Sequence, residues 1–290
     1  MSTSTWTSFA RALSRIVPVA LSAACASTPP TAAPVPVAAG STMSLQPNWR
    51  ARVTVDVDDS IVLALPSGEK QLQQYHRTAV FALEVAGDGG VSLRLDALTT
   101  HPSLPASLPA ATGMVPSATA TWTGRADNPS VNAFRVQTGG DRAEELTAVV
   151  RRLLPRFPAS GVRPETTWTD SATGNVRVDI FNANERRQAT WAVGPFGGGE
   201  GDTGVIVRMR ETFEQMGTGS QSGQKITMTS QGSRSGTYHS TKGGRLLSAF
   251  MVDSASTLIS LPDTRQVVPT VRLSRTAVQF IPVPRDRSEE

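Results

Sequence analysis

A single cysteine, Cys25, leaves the chain without any internal disulfide, so an exported form must be held together by its core alone. Three histidines, His76, His101 and His239, lie far apart. None stands in a His-x-x-x-His or His-Glu-x-x-His frame, which removes the local zinc signatures, and no metal or other cofactor is expected. No Gly-x-Ser-x-Gly elbow occurs, and a hydrolase of that design is excluded. The formal charge is only +4, and Arg11 and Arg15 at the N-terminus account for half of it. That balance carries no nucleic-acid footprint.

What is present begins at the N-terminus. Arg11 and Arg15 precede an apolar run from Ile16 to Ala24, which ends in Leu21-Ser22-Ala23-Ala24-Cys25. A basic start without acids, an apolar run too short to span a bilayer and small residues at the cut read as an export signal over 1–25. The end of the signal resembles a bacterial lipobox, in which the cysteine is acylated and becomes the mature N-terminus. Leu21 stands four residues before Cys25, where lipoboxes usually have Leu three before. Cleavage after Ala24 or Ala26 by ordinary signal peptidase is the competing expectation, and it leaves a soluble periplasmic or secreted protein.

Residues 26–44 form a tether rich in Ala, Pro, Ser and Thr. Pro29, Pro30, Pro34 and Pro36 favour an extended, semi-rigid chain. An acylated Cys25 would hold the body at a membrane, and Ala26 behind it resembles the sorting pattern for the outer membrane. The expected location is therefore the outer membrane or the periplasm.

Residues 45–284 are expected to be one β-rich domain, followed by a charged tail at 285–290. Trp49, Ala51, Val53, Val55 and Val57 alternate with Arg50, Arg52, Thr54 and Asp56, as a half-buried strand requires. Tyr75 to Val85 and Val91 to Leu95 alternate in the same way around Gly87-Asp88-Gly89-Gly90, which predicts a hairpin. Val176 to Ile180 and Gln188 to Val193 pair across a turn expected at Asn182-Ala183-Asn184. Further strands are expected at Val205 to Phe213, Lys225 to Ser230, Arg234 to Ser240, Arg245 to Val252, Ser256 to Leu261 and Thr270 to Ile281.

One segment has the helical period. Leu146, Val149, Val150, Leu153 and Leu154 share a face, Asp141 is placed as N-cap with Glu144 three residues on, and Pro155 stops the run. The expected architecture is mainly β: an antiparallel curved sheet or half-barrel of two strand-rich halves, with one amphipathic helix (about 141–154) between them. The helix is expected to cover one face, to plug the open side or merely to bridge the halves.

The segment from Leu154 to Trp168, with Leu154-Pro155-Arg156-Phe157-Pro158 and Val162-Arg163-Pro164-Glu165-Thr166-Thr167-Trp168, resembles a phrase in uncharacterised exported bacterial β-rich lipoprotein-like proteins. Those proteins also carry a late strand pair like Gly236-Thr237-Tyr238 and Gly244-Arg245-Leu246-Leu247. Glu165-Thr166 departs from the Gly-Asp usual at that point, where glycine implies a tight turn. The resemblance covers about 143–252 and brings no activity. More distantly, two strand-rich halves around a helix are similar to the half-barrel lipoprotein carriers of the cell envelope, which implies an apolar ligand on a concave face.

Other motifs are decided by context. Gly199-Glu200-Gly201-Asp202-Thr203-Gly204 spells a dinucleotide fingerprint but precedes alternating strand residues, where a helix N-terminus is needed. Ser222-Gly223-Gln224-Lys225 spells Ser-x-x-Lys inside a Gly/Ser/Gln-rich turn rather than at a helix start. Asp56, Asp58 and Asp59 lack the glycine turn and closing Glu of a calcium loop. Arg151, Arg152, Arg156, Arg186 and Arg187 read as a solvated face, with phospholipid or anionic polysaccharide as the alternative partner.

Two functions follow. The first is a noncatalytic envelope lipoprotein that binds an apolar ligand, lipid among them, or an envelope protein partner. Trp122, Phe134, Trp168, Trp191 and Phe250 are its candidate ligand-lining residues, Cys25 is its lipidation site, and no residue is assigned as catalytic. The second is an exported hydrolase with a dispersed active site around His76 or His239.

Overall fold

A computed structural model describes residues 43–65, 67–101, 120–125, 135–138, 146–158, 160–178, 180–194, 204–221, 223–262 and 265–284. The leader, Cys25 and the tether up to residue 42 lie outside these residues, as do Phe134, Asp141 and Glu144. The described residues belong to one compact unit.

Among the described residues, eleven strands make a single antiparallel sheet. They are β1 (Trp49–Ala64), β2 (Lys70–Val85), β3 (Gly90–His101), β4 (Thr121–Arg125), β5 (Arg135–Thr138), β6 (Thr167–Val178), β7 (Phe181–Val193), β8 (Val205–Gln221), β9 (Gln224–Ser240), β10 (Leu246–Leu261) and β11 (Gln266–Pro282). The order is β5-β4-β3-β2-β1-β11-β10-β9-β8-β7-β6. The first half walks outward from β1 to one edge, the second returns from the other edge, and β1 and β11 seal the middle through thirteen paired positions from Ala51↔Pro282 to Leu63↔Thr270. The sheet is open, and β5 and β6 are its edges. The fold is thus mainly β, an open curved sheet of two strand-rich halves.

The expected strands are present, and several are longer than their apolar alternation. Lys225 to Ser230 and Arg234 to Ser240 are one strand, β9, and the segments expected at Arg245 to Val252 and Ser256 to Leu261 join into one strand, β10, that starts at Leu246. Serine and glycine between the apolar stretches stay in the ladder because both sides of each strand are paired. The expected turn at Asn182-Ala183-Asn184 is instead inside β7. The chain reverses between Val178 and Phe181, and Ala183 is buried while Asn182 and Asn184 face outward. The glycine turn between β2 and β3 is where the sequence places it, with Gly89 at a φ of 81°.

Between the two edges the chain crosses the inner face of the sheet. Residues 146–150 are helical, and the following turn tightens through Arg152 N–H to Val149 and Leu153 N–H to Val150. Leu146, Val150, Leu153 and Leu154, the face expected from the helical period, are buried with Phe157 in the main core. Each such side chain contributes about 1.5–3 kcal/mol by burial, so the segment is a plug rather than a bridge. Trp122 Nε1 donates to Thr147 Oγ1 at 2.9 Å, Trp168 Nε1 to the Arg156 carbonyl at 3.0 Å and Tyr238 Oη to the Arg152 carbonyl at 2.8 Å. These bonds satisfy plug backbone and indole groups that the apolar contact would otherwise strand.

Candidate functional site

The inner face changes character along the strands. Near the plug it is apolar, built by Val53, Phe81, Trp122, Trp191, Val207, Met209 and Tyr238. Beyond the plug the same inward phase of β6 to β10 carries charge: Asp170, Glu185, Arg187, Glu211, Arg234 and Asp253. Arg187 Nη1 lies 2.9 Å from Asp170 and 3.0 Å from Glu211, and its side chain is 1% exposed. Arg234 reaches Glu211 at 2.5 Å and Glu185 at 3.1 Å, while its guanidinium carbon sits 3.9 Å from the centre of the Phe213 ring. The plug adds Arg152, paired with Asp253, and Arg156, 3.6 Å from both Asp170 and Glu211. Four arginines face four carboxylates, so the network is neutral.

Burial is the largest influence on Asp170, Glu185, Arg152 and Arg234. It pushes Asp170 above the usual carboxylate range, helped by the charge of Glu211 and opposed by Arg156. It would push Glu185 up too, yet Arg234 and the Gln215 hydrogen bond outweigh it and hold Glu185 low. Burial lowers Arg152 despite Asp253, whereas the three surrounding carboxylates carry Arg234 upward against the same penalty. Beyond this belt a second small apolar cluster, Phe181, Ala183, Ile226 and Met228, closes the inner face near the hairpin tips.

On the opposite face of the same five strands lies a polar concavity of about 1020 Å³. The strand registers resolve it into a trough that runs across the strands. One wall is the cross-strand row Thr173, Arg186, Glu214, Gln231 and Ser256, whose members pair successively from β6 to β10. The other wall, two residues away along each strand, is Ser171, Gln188, Thr212, Ser233 and Ser254. The row between them, Ala172, Arg187, Phe213 and Gly232, turns the side chains of its first three members inward and leaves backbone as the floor. The buried ion network therefore sits directly beneath the trough.

The sequence-derived candidates fall in different places. Trp122, Trp168 and Trp191 are together on the inner face and are engaged internally: Trp191 stacks on Trp168 at 5.8 Å with 7° between planes, Phe157 adjoins Trp168, and Phe81 meets Trp122 edge-on. Phe250 is on the outer face and 50% exposed, not beside the tryptophans. Phe134 and Cys25 lie outside the described residues. Of the arginines read as a solvated face, Arg152, Arg156 and Arg187 are instead inside the ion network, because their strand or plug phase points inward. Only Arg186 stands in the trough wall.

The two histidines of the hydrolase alternative are both on the outer face. His239 is exposed on β9. His76 Nδ1 lies 2.8 Å from Asp58 and its Nε2 3.3 Å from Thr78 Oγ1, which resembles a hydroxyl, imidazole and carboxylate relay. Thr78, however, donates at 2.7 Å to Asp56 instead. The group stands on open strand surface, with His76 46% and Asp58 70% exposed. β2 is paired on both sides, so its amide hydrogens are committed to the ladder and unavailable as an oxyanion hole. Asp59 faces inward to Arg77 and Arg272, away from Asp56 and Asp58. No group of three or more metal-ligating side chains occurs among the described residues. The glycine fingerprint lies outside them up to Asp202 and Thr203, and β8 follows it as a strand.

Sequence reasoning missed the acidic half of the network and the trough. Glu185 and Glu211 lie in phase with Trp191 and Met209, and this phase was the available signal. The trough has none within a single strand, because its walls exist only once five registers are aligned. No protein-family model matches the chain, and no curated protein matches it in sequence.

Proposed function

We propose that the chain is a noncatalytic binding protein of the bacterial cell envelope, held at a membrane through a lipid on Cys25, and that it binds its partner in the trough across β6 to β10. The observation that carries this reading is the contrast between the two faces. The inner face is filled by the chain's own plug and by a neutral ion network, whereas the outer face offers a polar concavity with exposed side chains on both walls. The leader and the proline-rich tether support the location, because a semi-rigid spacer holds a body clear of a membrane.

The full chain, expressed with its leader in a Gram-negative host, is expected in the membrane fraction with a mass increased by acylation. Cys25→Ser is expected in the soluble fraction with an unchanged unfolding midpoint. Equal partition of both proteins would refute the lipid anchor. For the binding half, a ligand that binds the chain and is unaffected by long side chains placed at Thr212 and Ser254 would refute the trough.

A further inference from the structure

We infer that the trough takes a neutral, extended glycan chain, an inference that rests on the trough being the binding site. Direction is the first argument. A peptide recognised by a sheet runs parallel to the strands and pairs with a free edge, but the trough runs across the strands, and of its five only β6 has a free side; β7 to β10 are paired on both sides. Along β7 to β10, recognition across the strands falls to side chains. Five strands at about 4.8 Å spacing give the trough a length of about 19 Å, and each strand step is close to one pyranose unit along an extended chain. Every step presents one polar side chain on each wall.

Chemistry is the second argument. The walls hold mainly hydroxyls and amides, which donate and accept in turn and match the ring hydroxyls of a sugar. Apolar side chains of a peptide find no apolar pocket among the wall residues. Charge is the third argument. The walls carry one cation and one anion, Arg186 and Glu214, which are cross-strand register partners, so the wall residues have no net charge. A polyanion such as a uronate chain or nucleic acid gains no net attraction there. The floor is kept stiff from beneath by Arg187 and by Phe213, so the walls hold their spacing without ligand.

The test is affinity electrophoresis and calorimetric titration of the full chain against four probes: a glucose hexamer, an N-acetylglucosamine hexamer, a polyuronate of similar length and an extended glycine-serine peptide. At least one neutral hexamer is expected to bind, with an affinity insensitive to salt. Thr212→Arg with Ser254→Arg, which fills the trough, is expected to weaken it by about tenfold or more, equivalent to about 1.4 kcal/mol. Gln188→Ala with Gln231→Ala is expected to weaken it without filling space, and circular dichroism checks that both pairs fold. Peptide binding abolished by the arginine pair, with no hexamer bound, overturns the glycan inference and leaves the trough as a binding site. Salt-sensitive binding of the polyuronate alone overturns it as well. A panel in which no probe responds to the arginine pair overturns both.

Discussion

The ring of Phe213 fills the space above its cross-strand partner Gly232: a Cβ built on Gly232 would stand 2.5 Å from Cζ of Phe213 and 2.3 Å from the Ser254 carbonyl oxygen. The second contact is with backbone, so a side-chain shift alone cannot relieve it. Glycine at 232 is therefore required by the close approach of ring and neighbouring strand, and the aromatic ring covers the gap that glycine leaves in the ladder.

Gly232→Ala is accordingly expected to destabilise the protein by about 1–3 kcal/mol, the usual cost of overpacking. The measurement is the denaturant midpoint. The substitution also pushes on the trough floor from below, so it should weaken trough binding in protein that remains folded. An unchanged midpoint would show that Phe213 does not sit over Gly232.

Glu211 is the hub of the ion network, within 3.0 Å of Arg187 and 2.5 Å of Arg234, with Arg156 at 3.6 Å. Glu211→Gln preserves shape but leaves a buried excess of positive charge, and the expected loss is about 3–5 kcal/mol. The double variant Arg187→Met with Glu211→Met removes one charge of each sign and restores neutrality. It should recover part of that loss, because apolar replacement of a buried pair is often near neutral. If the double variant is less stable than the single one by the full cost of a second substitution, the network is not organised around charge balance.

The contrast between β1 and the trough shows what was legible in the sequence. Trp49, Ala51, Val53, Val55 and Val57 announce a buried face within one strand, and the structure buries all five. The helical period from Leu146 to Leu154 likewise marks the face that meets the core. Asp59 and Arg187 were less legible because each continues the apolar phase of its own strand with a charge, and a charge in that phase is explicable only once its partners on other strands are known. Asp59 needs Arg77 from β2 and Arg272 from β11. The trough lay furthest from view, since Thr212, Ser233 and Ser254 are ordinary exposed residues until the register makes them neighbours. Phe250 shares aromatic character with the tryptophans, but its strand phase places it on the other face.

Acid is expected to destabilise the fold in a defined window. Burial alone would raise Asp59, but Arg272 and Arg77 and the hydrogen bonds from Ser274 and Arg272 hold its carboxyl below the usual range; Glu185 is held low against burial by Arg234 and Gln215. The unfolded chain protonates these groups first, near their ordinary values of about 3.9 and 4.3. The stability they confer is therefore complete above those values and is lost as pH falls through them toward the folded values. Asp170 has the opposite sign, since burial raises it, so its protonation on the way down relieves the folded state. With two groups against one, the midpoint in urea should fall below about pH 4. Asp59→Asn should flatten the fall while lowering the neutral-pH midpoint, and a pH profile identical to the parent would remove Asp59 from the account.

The turn that leads from the plug into β6 supplies the last test. Glu165 has a φ of 59°, in the left-handed region that costs an ordinary residue about 1–2 kcal/mol and glycine little. The turn therefore holds a glutamate in a conformation that glycine adopts at little cost. Thr166 Oγ1 donates to the Arg163 carbonyl at 2.7 Å, and Val193 N–H to the Thr166 carbonyl at 3.0 Å, and these bonds fix the path. Glu165→Gly removes the strain but makes the unfolded chain freer. The net expectation is a gain of about 0.5–1 kcal/mol, read from the denaturant midpoint. Glu165→Ala, which keeps a Cβ and loses only the carboxylate, should give no such gain. Equal gains from both substitutions would mean that charge, not backbone conformation, is what Glu165 contributes.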